Sequence, residues 1–262
     1  MSLFPVSLLG DPLYLRAAQA LIVALLVGGV VAIAHHYDVH MEKEVIVAEA
    51  RALIQIVAVG LVLMFVFQGP LGVGVVVLGA MVVIAAYTAA QRGKGLPNVF
   101  VVSLSAIGLG AGMVMLLMTW LGVVDAALTS LIPIGSMMIA NAMNTSALAL
   151  ERFQAEVKGH VGQIEAYLAL GADPATAVAP YVRAAVQASL IPKVDTMRAL
   201  GIVWIPGVMT GMLLAGSHPV DAALYLFVIV GMIFAVGALA SLISVLLISR
   251  RIFSSAVQLT LR

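Results

Sequence analysis

Apolar residues run along this chain in stretches of about 20, the length at which a helix crosses the hydrocarbon core of a bilayer. Seven such stretches stand out, at about residues 15–35, 45–67, 70–90, 98–121, 128–150, 198–216 and 221–249. A membrane barrel would instead need strands that alternate polar and apolar over about ten residues. The stretch from Leu71 to Ala86 has no such alternation, so the pattern predicts an all-α bundle of about seven spans. Residues 1–262 then form a single transmembrane domain.

One long polar segment interrupts the pattern, residues 151–197. In its first half Phe153, Val157, Val161, Ile164 and Leu168 repeat at spacings of four, four, three and four, while Glu151, Lys158 and Glu165 fall elsewhere on the helical wheel. That helix is expected to stop at Gly171, which suits a left-handed cap, and a second, short helix to begin with Asp173 as N-cap and Pro174 in its first turn. Such a hairpin either lies on the membrane surface or receives a soluble partner.

Composition agrees with the membrane setting, because 63% of residues are apolar and 10% charged, whereas a soluble domain carries about a quarter charged residues. A net charge of +1 without a long basic run gives no reason to expect nucleic acid. The absence of Cys excludes disulfides and thiol chemistry. No Lys or Arg precedes Arg16, so the basic opening of a secretory signal is missing and the first stretch reads as a retained span. Basic residues gather in alternate connections: Lys43 and Arg51, then Arg92 and Lys94, then Arg152, Lys158, Arg183 and Lys193, then Arg250 and Arg251. With basic loops inside, the N-terminus lies outside and the C-terminus in the cytoplasm, Arg16 alone dissenting.

Polar residues within the spans are the candidate chemistry. Asn141 and Asn144, three apart on one helical face with Thr145 beside them, either bond neighbouring helices or contact cargo. Met137, Met138, Met143, Met209 and Met212 offer soft thioethers, which suit Cu(I) better than Fe(II), or else fill helix contacts. Pro206-Gly207 in the sixth stretch permits a kink or a break and so suits a gate, and Gly207, Gly211 and Ala215 form a small-residue packing face. Pro133 is expected to act similarly but less. His35, His36 and His40, with Asp38 and Glu42, are the one metal-ligand cluster by residue type, read as a metal-entry site or as a solvated loop end. No ionisable side chain falls in the middle of a proposed span, which argues against a proton-driven carrier. Gly93-Lys-Gly lacks the spacing and the hydroxyl of a phosphate-binding loop, so energy from ATP would have to come from another chain.

Two resemblances extend this reading. Glu165-Ala166-Tyr167 followed by Gly171 resembles the start of the EAA loop of ABC-transporter permeases, although Leu190-Ile-Pro192 comes about two helical turns later than in the importer pattern. Six ordered segments resemble the Fet-type permease family of bacterial iron-export permeases and plant aluminium-tolerance subunits. They are Glu42 to Val45, Arg51 to Gln55, Ile132 to Gly135 with Asn141 to Met143, Leu170 to Pro174, Ile191 to Asp195 and Pro206 to Gly211.

That resemblance implies a non-enzymatic permease subunit in the bacterial inner membrane, surrounded by lipid and paired with a second copy of itself. Two copies of a separate ATPase would carry ATP and Mg, with no cofactor on this chain. Residues 151–197 become the coupling loop, with Glu165, Ala166, Gly171, Ala172, Asp173 and Pro174 at the ATPase contact. Asn141, Met143, Asn144, Pro206, Gly207 and Met209 become candidates for the path, and Arg51, Gln55 and Asp195 structural residues at the cytoplasmic edge. The implied cargo is a metal ion such as iron, with a nucleotide sugar as the alternative. An ATPase-independent channel or carrier, and a non-transporting scaffold, are the readings from other classes.

Overall fold

A computed structural model describes residues 12–254 and 258–259. The chain divides into two units, Met1–Gln68 and Gly69–Arg262. The described part of the first is a helical hairpin, α1 (Pro12–His36) and α2 (Glu42–Val66). Its turn is closed by a hydrogen bond between His35 Nδ1 and Glu42 Oε1, while His40 Nδ1 pairs with the carbonyl of Asp38 at 2.9 Å. In the most apolar window of each helix no residue is buried within the chain. Lipid or protein must therefore cover this surface.

The second unit holds α3 (Leu71–Arg92), α4 (Val99–Trp120), α5 (Leu128–Gly159), α6 (Val161–Ala169), α7 (Pro174–Ala199), α8 (Gly207–Leu214) and α9 (Pro219–Ser249). Among the described residues there is no extended strand, only two isolated bridges. Five helices, α1, α2, α3, α4 and α9, are long and apolar enough to cross a membrane. The α5 helix has the length, but Asn141, Asn144, Thr145 and Ser146 dilute its apolar stretch.

Helices α5 and α9 form the centre, with α3 and α4 against one end and α6 and α7 against the other. The core accordingly has two parts. The first joins Ala86, Ala89, Ile107, Met138, Ala142, Met232 and Val236, and the second joins Leu150, Phe153, Val157, Ile164, Val178, Tyr181, Val245 and Ile248. Close approach needs small residues: a Cβ on Gly110 would lie 3.2 Å from the Ala240 nitrogen, and one on Gly237 would lie 3.0 Å from Thr145 Oγ1.

The expected stripe through Phe153, Val157, Val161, Ile164 and Leu168 packs into the second core as one face, but it spans two helices broken at His160. The expected sixth span, 198–216, is corrected more deeply. It is not one helix: α7 ends at Ala199, residues 200–206 turn, and the eight residues of α8 follow. Nor is the second helix of the 151–197 segment short. It is α7, 26 residues long, and it runs back beside α5 and α9.

Candidate functional site

The tip of the hairpin follows from local chemistry. The α6 helix ends on Gly171 at φ +86°, a left-handed conformation that a side chain would strain. Asp173 then caps α7, its carboxylate accepting from the Ala175 N–H at 3.0 Å, and Pro174 opens the helix where a missing N–H costs nothing. Glu165, Ala166, Gly171 and Asp173 are exposed, and Ala172 and Pro174 are half-buried. Behind the tip, Tyr181 donates to Gln163 Oε1 at 3.1 Å and stacks on His160 at 4.9 Å between ring centres. Burial pushes the Tyr181 phenol up from its ordinary value, with Tyr167 and Glu156 adding to the shift, so it remains a donor at neutral pH.

Further along, α7 presents a polar face at spacings of four and three: Ser189, Lys193 and Thr196. Ser189 Oγ lies 2.8 Å from Ser241 Oγ on α9, and Ser146 Oγ on α5 lies 2.6 Å from Ser244 Oγ on α9. The Lys193 ammonium donates to Asn141 Oδ1. Asn141 is held for this contact, since its Nδ2 donates to the Met137 carbonyl at 2.8 Å. Thr145 Oγ1 donates to the Asn141 carbonyl at 2.8 Å, as a hydroxyl often does within a helix.

Lys193 and Asn141 open on a cavity of about 280 Å³, lined also by Met137, Thr196, Met197 and Trp204 and by Val230, Ile233 and Phe234 of α9. Trp204 reaches it through a closed turn in which Gly201, at φ +77°, donates to the Trp204 carbonyl at 2.9 Å and Trp204 donates to the Ala199 carbonyl at 3.0 Å. The α9 residues of the lining come from the middle of a helix able to cross a membrane. An ionisable side chain therefore stands opposite the centre of an apolar span. The sequence had suggested none, because Lys193 counted as a loop charge.

The other sequence candidates separate. Asn144 is exposed and lines no part of this cavity, so the two amides of the expected pair face different surroundings. Met143 is half-buried against the first core, and Met209 is half-buried on α8. Of the kink or break expected at Pro206 and Gly207 the structure shows the break: residues 200–206 turn, Pro206 is buried and precedes α8, and Gly207 begins it. A Cβ on Gly207 or Gly211 would meet nothing within 4 Å among the described residues, so their small-residue face packs on none of these. Pro133 leaves α5 continuous.

Arg51 and Gln55 are exposed on α2. Asp195 is exposed on α7, two residues beyond Lys193, and pairs with Arg198 at 3.4 Å. His35 and His40 stand edge to face at 5.4 Å, and His36 contacts the Tyr37 ring at 5.6 Å. Among the described residues no three His, Asp or Glu side chains are grouped to hold a metal ion.

This is the architecture of a polytopic helical membrane protein with a largely apolar cavity, into which Lys193 and Asn141 open, set against α9. Residues 17–253 match the model of the uncharacterised protein family UPF0014, and the chain belongs to that family. It is 32% identical over 240 residues to the probable iron export permease protein FetB of Escherichia coli (strain K12), covering 90% of this chain and 91% of the relative. It is 31% identical over 245 residues to the protein ALUMINUM SENSITIVE 3 of Arabidopsis thaliana, covering 93% of this chain and 89% of the relative. Over 220 residues it is also 31% identical to the UPF0014 membrane protein STAR2 of Oryza sativa subsp. japonica, covering 84% and 77%. No solved structure matches the chain.

Proposed function

We propose that this chain is the membrane-spanning subunit of an ABC transporter, a dimer driven by two copies of a separate ATPase, which exports a metal-containing cargo. The observation that carries the reading is the continuity of α7. One helix begins at Pro174, directly after the exposed Asp173 of the tip, and carries, 19 residues from Pro174 or about 29 Å away, the Lys193 that faces the cavity. A push on the tip would therefore reach the cavity without crossing a loop. The probable iron export permease among its relatives supports transport and suggests iron.

In this reading the crossings are α1 to α4, the first two-thirds of α5, the stretch from the second half of α7 through α8, and α9, with the N-terminus outside and the C-terminus in the cytoplasm. The basic residues that remain in connections support that orientation: Arg92, Lys94, Arg152, Lys158, Arg183, Arg250 and Arg251. The outer face of α7 supports the dimer. Asp195 and Arg198 keep side-chain exposures of 60% and 76% at the level of α9's apolar middle, where lipid would penalise both. A second copy, with an aqueous path between the two, removes that penalty.

The test is capture. With the chain in detergent and its ATPase co-expressed, Gly171→Val and Asp173→Ala are expected to abolish co-purification, while Pro133→Ala leaves it intact. Undiminished capture by both tip variants would remove the coupling role. Inverted membrane vesicles loaded with iron outside then address the cargo: no ATP-dependent uptake would reject the metal.

A further inference from the structure

We infer that the cavity beside Lys193 is a recognition site for an anion rich in carboxylate or phosphate oxygens, so that a metal enters this path inside an anionic complex and not as a bare cation. The inference deepens the transporter reading, on which it rests for the cavity's place in a path.

The hydrogen-bonding groups around the cavity decide the sign of its guest. Lys193 carries three N–H donors, and Asn141 Oδ1 accepts one. Asn141 gives one of its two amide N–H groups to the Met137 carbonyl, which fixes its Oδ1 toward Lys193 and leaves it one further donor. The Thr196 hydroxyl gives its proton to the Pro192 carbonyl at 2.8 Å, leaving lone pairs only. Trp204 adds an indole N–H, which can only donate. The lining thus presents an ammonium with donors to spare, and a Trp whose one polar group can only donate.

No carboxylate of the lining neutralises that ammonium. Among the described residues the ion pairs join His35 to Glu42, His160 to Glu156 and Arg198 to Asp195. The carboxylate nearest in sequence, Asp195, is thus engaged by Arg198. A half-buried ammonium whose partner is one neutral amide oxygen is under-compensated, and burying a charge is tolerated when it is paired. A guest with negative oxygens supplies what is missing, and the apolar wall of Val230, Ile233 and Phe234 strengthens the attraction by keeping water away.

A bare Fe(II) would meet the opposite. It would find the thioethers of Met137 and Met197 and the lone pairs of Thr196, no carboxylate or imidazole, and a like charge beside it. Iron held by an oxygen-rich chelator of net negative charge meets no such repulsion.

Trp204 makes the cavity its own reporter, because the chain has 2 Trp and Trp120→Phe leaves Trp204 alone. The full chain with that change, in nanodiscs of neutral lipid and without ATPase, is titrated with inorganic phosphate, citrate, ferric citrate, and ferrous chloride against a sodium chloride blank. At least one of the three anions is expected to change the Trp204 emission saturably, and which one responds separates a phosphate from a carboxylate guest. Ferrous chloride should match its blank. Lys193→Gln should weaken the anion by about tenfold or more, and Lys193→Arg, which keeps the charge, by no more than about threefold. Lys193→Met serves if the Gln variant does not fold, with thermal unfolding as the check.

A saturable response to ferrous ion that survives in Lys193→Gln would overturn the inference. So would an anion response equal in the Gln and parent chains, or no response to any anion. Because no ATPase is present, loss of capture by the tip variants and loss of anion binding can fail independently.

Discussion

The two halves of α7 are held in different ways. From Pro174 to Ala185 it is held by apolar packing, with Ala177, Val178, Tyr181 and Ala185 buried beside Phe153, Val157 and Ile164. From Ser189 onward it is held at polar points, the Ser189 to Ser241 and Lys193 to Asn141 contacts, while Ile191 is 53% and Met197 38% exposed. Apolar packing spreads its energy over many contacts and resists any displacement. A few hydrogen bonds hold one register and release it when their partners are supplied elsewhere. In the transporter proposed above, that difference makes α7 stiff at the proposed coupling end and exchangeable at the cavity.

The largest effect should come from breaking the stiff half. Phe153 is fully buried in the second core, and Phe153→Ala removes its ring from beneath α6 and α7. A loss of about 3–5 kcal/mol is expected, the range for deleting a buried aromatic. Denaturant midpoints in detergent measure it. A variant as stable as the parent would mean that the tip is not held by this core, and the contrast between the halves would collapse.

A smaller effect tests the exchangeable half. Ser189→Ala alone leaves Ser241 without its partner in a buried setting, where Ser189 is 2% and Ser241 0% exposed. A cost of about 1–3 kcal/mol is expected for this change, and a smaller one for Ser241→Ala, since the Ser189 hydroxyl still donates to the Val186 carbonyl at 2.7 Å. The double change, Ser189→Ala with Ser241→Ala, should cost less than the sum by about 1 kcal/mol, because no orphaned hydroxyl remains. Strict additivity would show that the pair holds no register.

These contrasts explain how far the sequence could be read. The stripe from Phe153 to Leu168 was visible because apolar burial leaves a period, and Gly171-Ala-Asp173-Pro174 was visible because caps are local chemistry. The course of α7 was hidden by composition. Its Arg183, Lys193, Asp195 and Arg198, with Pro180 and Pro192 inside the helix, look like a solvated segment and not like one long helix. Each proline removes one helix hydrogen bond, yet α7 continues past both at exposed positions. The signal that was present is the polar spacing Ser189, Lys193, Thr196, one face of a helix continued past the proline. Trp204 carried none, since only the turn at Gly201 brings it to the cavity. Asn141 and Asn144 could not be told apart, because i,i+3 spacing gives a shared face of the helix and not a shared neighbour.

The smallest effect belongs to the tip and separates stability from coupling. Asp173→Ala removes the oxygen that accepts from the Ala175 N–H, and an N-cap of this kind is worth about 1 kcal/mol. Asp173→Asn keeps an acceptor at the same place and should restore nearly all of that stability. The carboxylate's charge is a different matter, because Asp173 is exposed and the proposed ATPase contact includes it. If Asn restores the melting temperature and also the capture of the ATPase, Asp173 acts as a cap that sets the start of α7. If Asn restores the melting temperature alone, its charge meets a cation on the partner, and the stiff half of α7 ends in a contact of its own.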